Sequence, residues 1–192
     1  MADFTTTQTW ISKNAYLTLG ERENNAILVW QYFGSKGWSI EAVSAMLGNM
    51  ESESTINPGI WESLAPFVGG YGLTQWTPYT KYSDWAGSSW ENNGNKQCER
   101  IVYEMENGLQ WFANPEAPIV SPPISFREFS TSTIDVETLA NYFLWYYEHP
   151  AITIQPARAT QARKWYEFLS EMPPIPRPTR KKMPLWMYLR YF

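Results

Sequence analysis

The sequence predicts an α+β chain that is predominantly α-helical and carries one small β-hairpin. Apolar residues recur at helical spacing in segments that begin near Arg22, Ser39, Lys96, Asp135 and Arg158. Between residues 58 and 80 the glycines Gly59, Gly69, Gly70 and Gly72 alternate with Trp61, Phe67, Tyr71 and Trp76, the pattern of a loop running into a short hairpin. At 192 residues the chain is long enough for one domain with a substantial core.

Taken in order, residues 1–14 are Thr-rich and read as an N-terminal arm ahead of a domain spanning 15–172. From Arg22 to Gly34 a helix is expected, with Ile27, Leu28, Trp30, Tyr32 and Phe33 as its apolar stripe and Gly34 and Gly37 ending it. Ser39 is a natural N-cap for the next helix. Glu41 favours its positive first turn, and Ile40, Val43, Met46, Leu47 and Met50 mark its buried face. This helix runs into Glu51-Ser52-Glu53-Ser54-Thr55-Ile56 and is stopped by Asn57-Pro58-Gly59. The stretch Gly70–Trp76 reads as the hairpin tip, offering backbone amides and the Gln75 side chain.

A short helix over Tyr79–Ala86 and a longer one over Lys96–Gln110 follow, the latter with Ile101, Val102, Met105 and Leu109 on one stripe. Pro115–Pro123 is a loop, and a short element covers Phe126–Phe129. Asp135 starts a helix through Leu139, Ala140, Phe143, Leu144 and Tyr147, stopped by Pro150 and apolar enough all round to be central. A last helix from Arg158 to Leu169 closes the domain. Residues 173–184, with five prolines and a basic cluster, read as an extended linker, and the apolar stretch 185–192 as a docking segment or the stub of a missing domain.

Composition removes several function classes. Residues 173–192 carry five basic groups and no acid, so the remaining ten basic and nineteen acidic groups leave residues 1–172 at −9. Such an acidic body argues against nucleic-acid binding. Cys98 is the only cysteine and His149 the only histidine, so the usual zinc sites and Ser/His/Asp catalysis lack their parts; no metal or cofactor is expected. Cys98 sits in a helix core face and reads as a small buried hydrophobe. The N-terminus has no signal-peptide pattern, and no run of about 20 apolar residues offers a membrane span. Eleven Trp and twelve Tyr within a 17% aromatic content put some rings at the surface, where flat faces suit sugars, protein interfaces or bases.

The candidate acid lies where the Ser39 helix ends. A helix C-terminus carries partial negative charge and disfavours another, and burial pushes the same way, so a carboxyl there is a candidate proton donor. Periodicity leaves two choices: Glu53 follows Met50 by three residues, and Glu51 follows Leu47 by four. Both equally fit solvated glutamates in a fraying last turn.

Two motifs then align. Glu53-Ser54-Thr55-Ile56-Asn57-Pro58 resembles the Glu-Ser-x-apolar-Asn-Pro motif of lysozyme-like lytic transglycosylases, and Gly72-Leu73-Thr74-Gln75 resembles their downstream Gly-Leu-Met-Gln motif. With Asn14–Thr18, Gly37-Trp38, Met46–Gly59, Gly72–Pro78 and Tyr147–Pro150, the chain over roughly residues 14–170 resembles the phage tail-tip lysozyme family. That resemblance implies a lysozyme-like fold with the hairpin beside the catalytic helix. It also implies an enzyme that rides on the virion tail tip and cuts the β-1,4 bond between N-acetylmuramic acid and N-acetylglucosamine of host peptidoglycan during delivery of the genome. It selects Glu53 as the acid. Some relatives carry a zinc endopeptidase domain after a linker, an activity not expected here.

Glycoside cleavage requires protonation of the leaving oxygen, and burial of Glu53 against Met46, Met50 or a Trp is the expected way to keep it an acid. Glu62 is the first candidate for a second carboxylate, ahead of Asp84 and Glu51. Gln75, Tyr71 and Trp76, then Tyr147 across the cleft, are the expected substrate contacts. Trp61 and Trp76 are candidates to stack sugar faces, or else plain core. Glu148 and His149 are left to cap a helix end, where a charged His149 is favourable. Peptidoglycan glycan strands are the expected partner, with phage tail knob or tip proteins held through residues 173–192. The alternatives are an endolysin kept in the host cytoplasm until lysis, a lytic transglycosylase that leaves anhydro-sugar ends, and a non-catalytic structural or wall-binding tail protein.

Overall fold

A computed structural model describes residues 8–175. Its elements run α1 (Leu19–Ser35), α2 (Ile40–Ser54), β1 (Trp61–Leu64), β2 (Phe67–Tyr71), α3 (Thr80–Ala86), α4 (Gly94–Glu106), α5 (Phe126–Thr131), α6 (Val136–Phe143) and α7 (Pro156–Ser170). The fold is α+β, mostly helical, with β1 and β2 paired antiparallel, as the sequence predicts. Among the described residues no helix is long and apolar enough to cross a membrane.

The central helix is α2, not α6. Ten of its fifteen residues are buried, from Ala42 to Met50 and again at Ser54, because α7 and α6 both pack along it. In α6 the buried set is Val136, Leu139, Ala140 and Phe143, one stripe rather than a full circumference. Gly48 permits the α2–α7 approach: a Cβ there would lie 2.4 Å from the Arg158 carbonyl oxygen and 2.6 Å from the Ala162 nitrogen. Both ends of α2 are chemically specified. Ser39 Oγ accepts from the Ala42 N–H at 3.1 Å and donates to the Ser132 carbonyl. At the other end Thr55 and Ile56 both take left-handed backbone, at φ 56° and 57°. Neither is glycine, so each conformation costs about 1–3 kcal/mol and must be held by its surroundings. Leu17 N–H donates to Thr55 Oγ1 at 2.9 Å, and Asn25 Nδ2 donates to the Ile56 carbonyl at 2.9 Å.

Three sequence-based expectations change. The described part of the N-terminal arm, residues 8–14, is stitched into the body: Trp10 packs against Gly94, Ile11 exchanges hydrogen bonds with Asn25, and Asn57 donates to the Lys13 carbonyl. The hairpin turns at Ala65–Pro66, so Gly72–Trp76 is a second turn after β2, closed by a bridge between Tyr71 and Trp76. The helix from Asp135 does not run regularly to Pro150. After Phe143 it widens into a π-helical turn, Leu144–Glu148, and His149 ends it in left-handed backbone at φ 52°. The expected linker and docking segment, 173–184 and 185–192, lie outside the described residues beyond Ile175.

Candidate active site

A cleft of about 440 Å³ opens between the end of α2, the hairpin with its second turn, and the π-helical turn. Glu53, Glu62, Gln75, Trp61, Trp76 and Tyr147 all line it, together with Tyr16, Thr74, Lys81, Gln110 and Glu148. Of the expected substrate contacts, Tyr71 faces elsewhere. Its ring is buried against Tyr82 and Trp90, and its hydroxyl accepts from the Asn92 N–H at 2.8 Å, so it supports the hairpin from beneath.

The motif residues around Glu53 hold the helix end in place. Ser54 Oγ donates toward the Met50 and Leu73 carbonyls, at 3.0 and 2.9 Å, and accepts from the Asn57 N–H. Asn57 is buried; its amide nitrogen donates to the Lys13 and Ala15 carbonyls, both at 2.7 Å, and its oxygen accepts from the Gly59 N–H. Gln97 of α4 then ties the two motifs together, accepting from the Leu73 N–H at 2.8 Å and donating to the Pro58 carbonyl at 2.7 Å. Gly72 is required there: its φ is 79° and a Cβ would sit 2.4 Å from Gln97 Oε1.

Glu51 and Glu53 are now separated by geometry. Glu51 accepts from Arg22 Nη1 at 2.7 Å and from Trp165 Nε1 at 2.8 Å, linking α1 to α7 away from the cleft. Glu53 projects into the cleft and keeps part of its surface open. Its setting differs from the apolar wall expected. Buried Arg158 donates from Nη2 to Glu53 Oε1 at 2.5 Å, from Nη1 to Asn49 Oδ1 at 3.3 Å and from Nε to Gln155 Oε1 at 2.7 Å.

The far wall is built on a carboxylate that sequence reasoning missed. Glu104 of α4 is buried and accepts from Trp76 Nε1 at 3.1 Å, Arg100 Nε at 2.8 Å and Tyr147 Oη at 2.6 Å. Trp76 and Tyr147 are therefore fixed floor, each under 5% exposed, rather than platforms free to stack on a sugar. Burial, with the Glu104 charge behind it, pushes the Tyr147 phenol well above its ordinary range. Trp61 is half-buried among Phe67, Tyr71, Tyr79 and Trp90 and shows the cleft part of its surface. The most exposed aromatic of the cleft is Tyr16, at 70%, which lies N-terminal to every predicted element and carries no periodic signal.

On the hairpin side, Glu62 Oε2 accepts from the Gly70 N–H at 2.8 Å. Gln75 donates from Nε2 to the Ile60 and Gly72 carbonyls, so its amide nitrogen braces the turn. Asp84 is exposed and is not among the cleft-lining residues. His149 stacks on Phe112 with ring centroids 4.0 Å apart, and burial lowers its pKa, so it is neutral rather than a charged cap for the helix end. Cys98 is buried in the core, where desolvation pushes its thiol far up and makes it unreactive.

Comparison with known proteins places the chain in a family. The chain is 43% identical over 167 residues to Morphogenesis protein 1 of Bacillus phage B103, an alignment covering 83% of this chain and 43% of that protein. The chain thus spans less than half the length of this curated relative. The family model described as phage tail lysozyme matches residues 24–169, a span that contains the Glu53 helix end, the Gln75 turn and the Glu148 turn. The chain belongs to the phage tail lysozyme family.

Proposed function

We propose that the protein is a tail-associated lysozyme that cleaves the β-1,4 glycosidic bond between N-acetylmuramic acid and N-acetylglucosamine of host peptidoglycan during delivery of the phage genome. The observation that carries this reading is a single one: the glutamate of the Glu-Ser-x-apolar-Asn-Pro motif is clamped at the end of a buried helix with its carboxyl in a cleft of about 440 Å³. Glu53 gives a proton to the leaving oxygen as oxocarbenium character develops on the sugar. Arg158 orients the carboxyl and stabilises the carboxylate left behind. Tyr16 and Trp61 offer exposed ring surface to sugar faces, while Gln75, Trp76 and Tyr147 shape the floor.

Glu62 is proposed as the second carboxylate, across the cleft on β1. The mass of the released fragments distinguishes its two possible outcomes: reducing ends require attack by water, whereas anhydro-sugar ends mean the sugar's own hydroxyl attacked. Residues 173–192, basic and then apolar, are proposed to attach the domain to tail knob or tip proteins. Blotting purified virions for this chain tests the tail assignment. Its presence in virions supports delivery with the tail, and its absence there with abundance in late-infected cells means an endolysin.

A further inference from the structure

Glu148 ends the π-helical turn and lines the same cleft as Glu53. Its Oε1 is shielded from solvent and has no hydrogen-bond partner among the described residues. Arg158, whose charge acts on Glu148, directs its donors instead to Glu53, Asn49 and Gln155. Glu53 faces Glu148 from α2, Glu104 from α4 and Arg158 from α7, with Tyr147 and His149 on its own turn. Lys81 of α3 and Glu62 of β1 line the cleft beyond them. Two neighbouring carboxyls, of which only Glu53 is paired with the arginine, ionise together only at a large electrostatic cost. Burial first, then the Glu53 charge, push the Glu148 carboxyl well above its ordinary range, and Arg158 only partly opposes them.

We propose that Glu148 is the proton-holding partner of Glu53: the two carboxyls retain one proton between them through neutral pH, and this keeps a donor available for the glycosidic oxygen. The proposal rests on the reading of Glu53 as the acid. Glu148 acts through Glu53 and is a positioning residue for the proton rather than a group that touches the sugar. Its signature follows from coupled titration. While one proton is shared, the fraction of enzyme with that proton on Glu53 does not change with pH, so the rate stays level between the two titrations of the pair. A single uncoupled carboxyl instead loses acid form about tenfold per pH unit above its titration.

The test compares pH–rate profiles of the full chain and its Glu148→Gln variant on purified peptidoglycan, alongside carboxyl-carbon NMR titration of Glu148 in the wild type and in Glu53→Gln. The expected result is an alkaline limb displaced to lower pH by at least about one unit in Glu148→Gln, an activity loss of about tenfold or more at pH 8 that acidification recovers. In Glu53→Gln, the Glu148 titration moves to lower pH because the neighbouring negative charge is gone. A Glu148→Gln limb that coincides with wild type overturns the proposal, as does a folded Glu148→Gln enzyme inactive at every pH, which would make Glu148 the donor itself. An unmoved Glu148 titration in Glu53→Gln also overturns it, and decides the matter if Glu148→Gln does not fold. A wild-type chain that leaves peptidoglycan uncut refutes the Glu53 reading instead, and the NMR titration still reports whether the pair is coupled.

Discussion

At the scale of single residues, the site rests on two carboxyl groups with opposite partnerships, buried Glu104 and half-buried Glu148, whose Oε1 is shielded from solvent. Glu104 is satisfied three times over, by Arg100, Trp76 and Tyr147, whereas Glu148 leaves an oxygen without a partner among the described residues. Glu104→Ala strands a nearly buried guanidinium together with an indole N–H and a phenol, and should destabilise the fold by about 3–5 kcal/mol in chemical denaturation. Glu148 has the reverse consequence. Its folded-state pKa lies above the ordinary 4.5, so above that value the unfolded chain gives up a proton that the folded chain keeps. Stability therefore falls as pH rises from 4.5 toward the folded pKa, and the loss is absent below 4.5, where both states are protonated. Glu148→Gln removes this dependence. Its melting temperature should match wild type most closely at acid pH and exceed it by a growing margin as pH rises; a constant difference across pH would show that Glu148 is not held protonated.

At the scale of elements, what was legible in the sequence followed from local chemistry. Ser39 as N-cap, Asp135 capping α6 through the Thr138 N–H, the apolar stripe of α2 and Ile101 and Val102 of α4 depend on neighbours a few residues away, and periodicity reads those, whereas the α1 stripe buries Ala26 and Val29 in place of Leu28, Trp30 and Tyr32. The site depended on partners far along the chain. Arg158 reaches Glu53 across 105 positions and Tyr147 reaches Glu104 across 43, distances at which no spacing rule speaks. Choosing Glu53 over Glu51 therefore needed the family resemblance, and the geometric reason appears only when Arg22 and Trp165 are seen to occupy Glu51. The widened turn at Leu144–Glu148 was invisible for the same reason, since a single extra residue in a helical turn leaves the apolar pattern nearly intact. The α2–α7 contact gives this scale its prediction. Gly48→Ala drives a methyl into the Arg158 carbonyl and the Ala162 nitrogen, so it should cost about 1–3 kcal/mol and move Arg158 off Glu53. Its activity should fall by more than the unfolded fraction accounts for, which a thermal melt run beside the peptidoglycan assay resolves.

At the scale of the molecule, helices α2, α6 and α7 pack on one another, and the end of α2 and the π-helical turn that follows α6 face the hairpin and its following turn across the cleft. The formal net charge of −4 gives no long-range attraction to an anionic wall, so recognition is left to short-range contacts inside the cleft. Raising ionic strength from about 0.01 M to 0.15 M shortens the Debye length from about 30 Å to 8 Å and should leave the wall-cleavage rate level or modestly higher. A steep loss with salt would instead reveal a basic surface doing the capture. The central claim is narrower, that Glu53 is the acid of a glycan-cutting cleft. Its most direct test is digestion of purified peptidoglycan by Glu53→Gln, with circular dichroism and melting temperature measured on the same preparation. A native spectrum and melt with cleavage reduced by about 100-fold or more is the predicted result; a folded Glu53→Gln protein that digests peptidoglycan at the wild-type rate would contradict it.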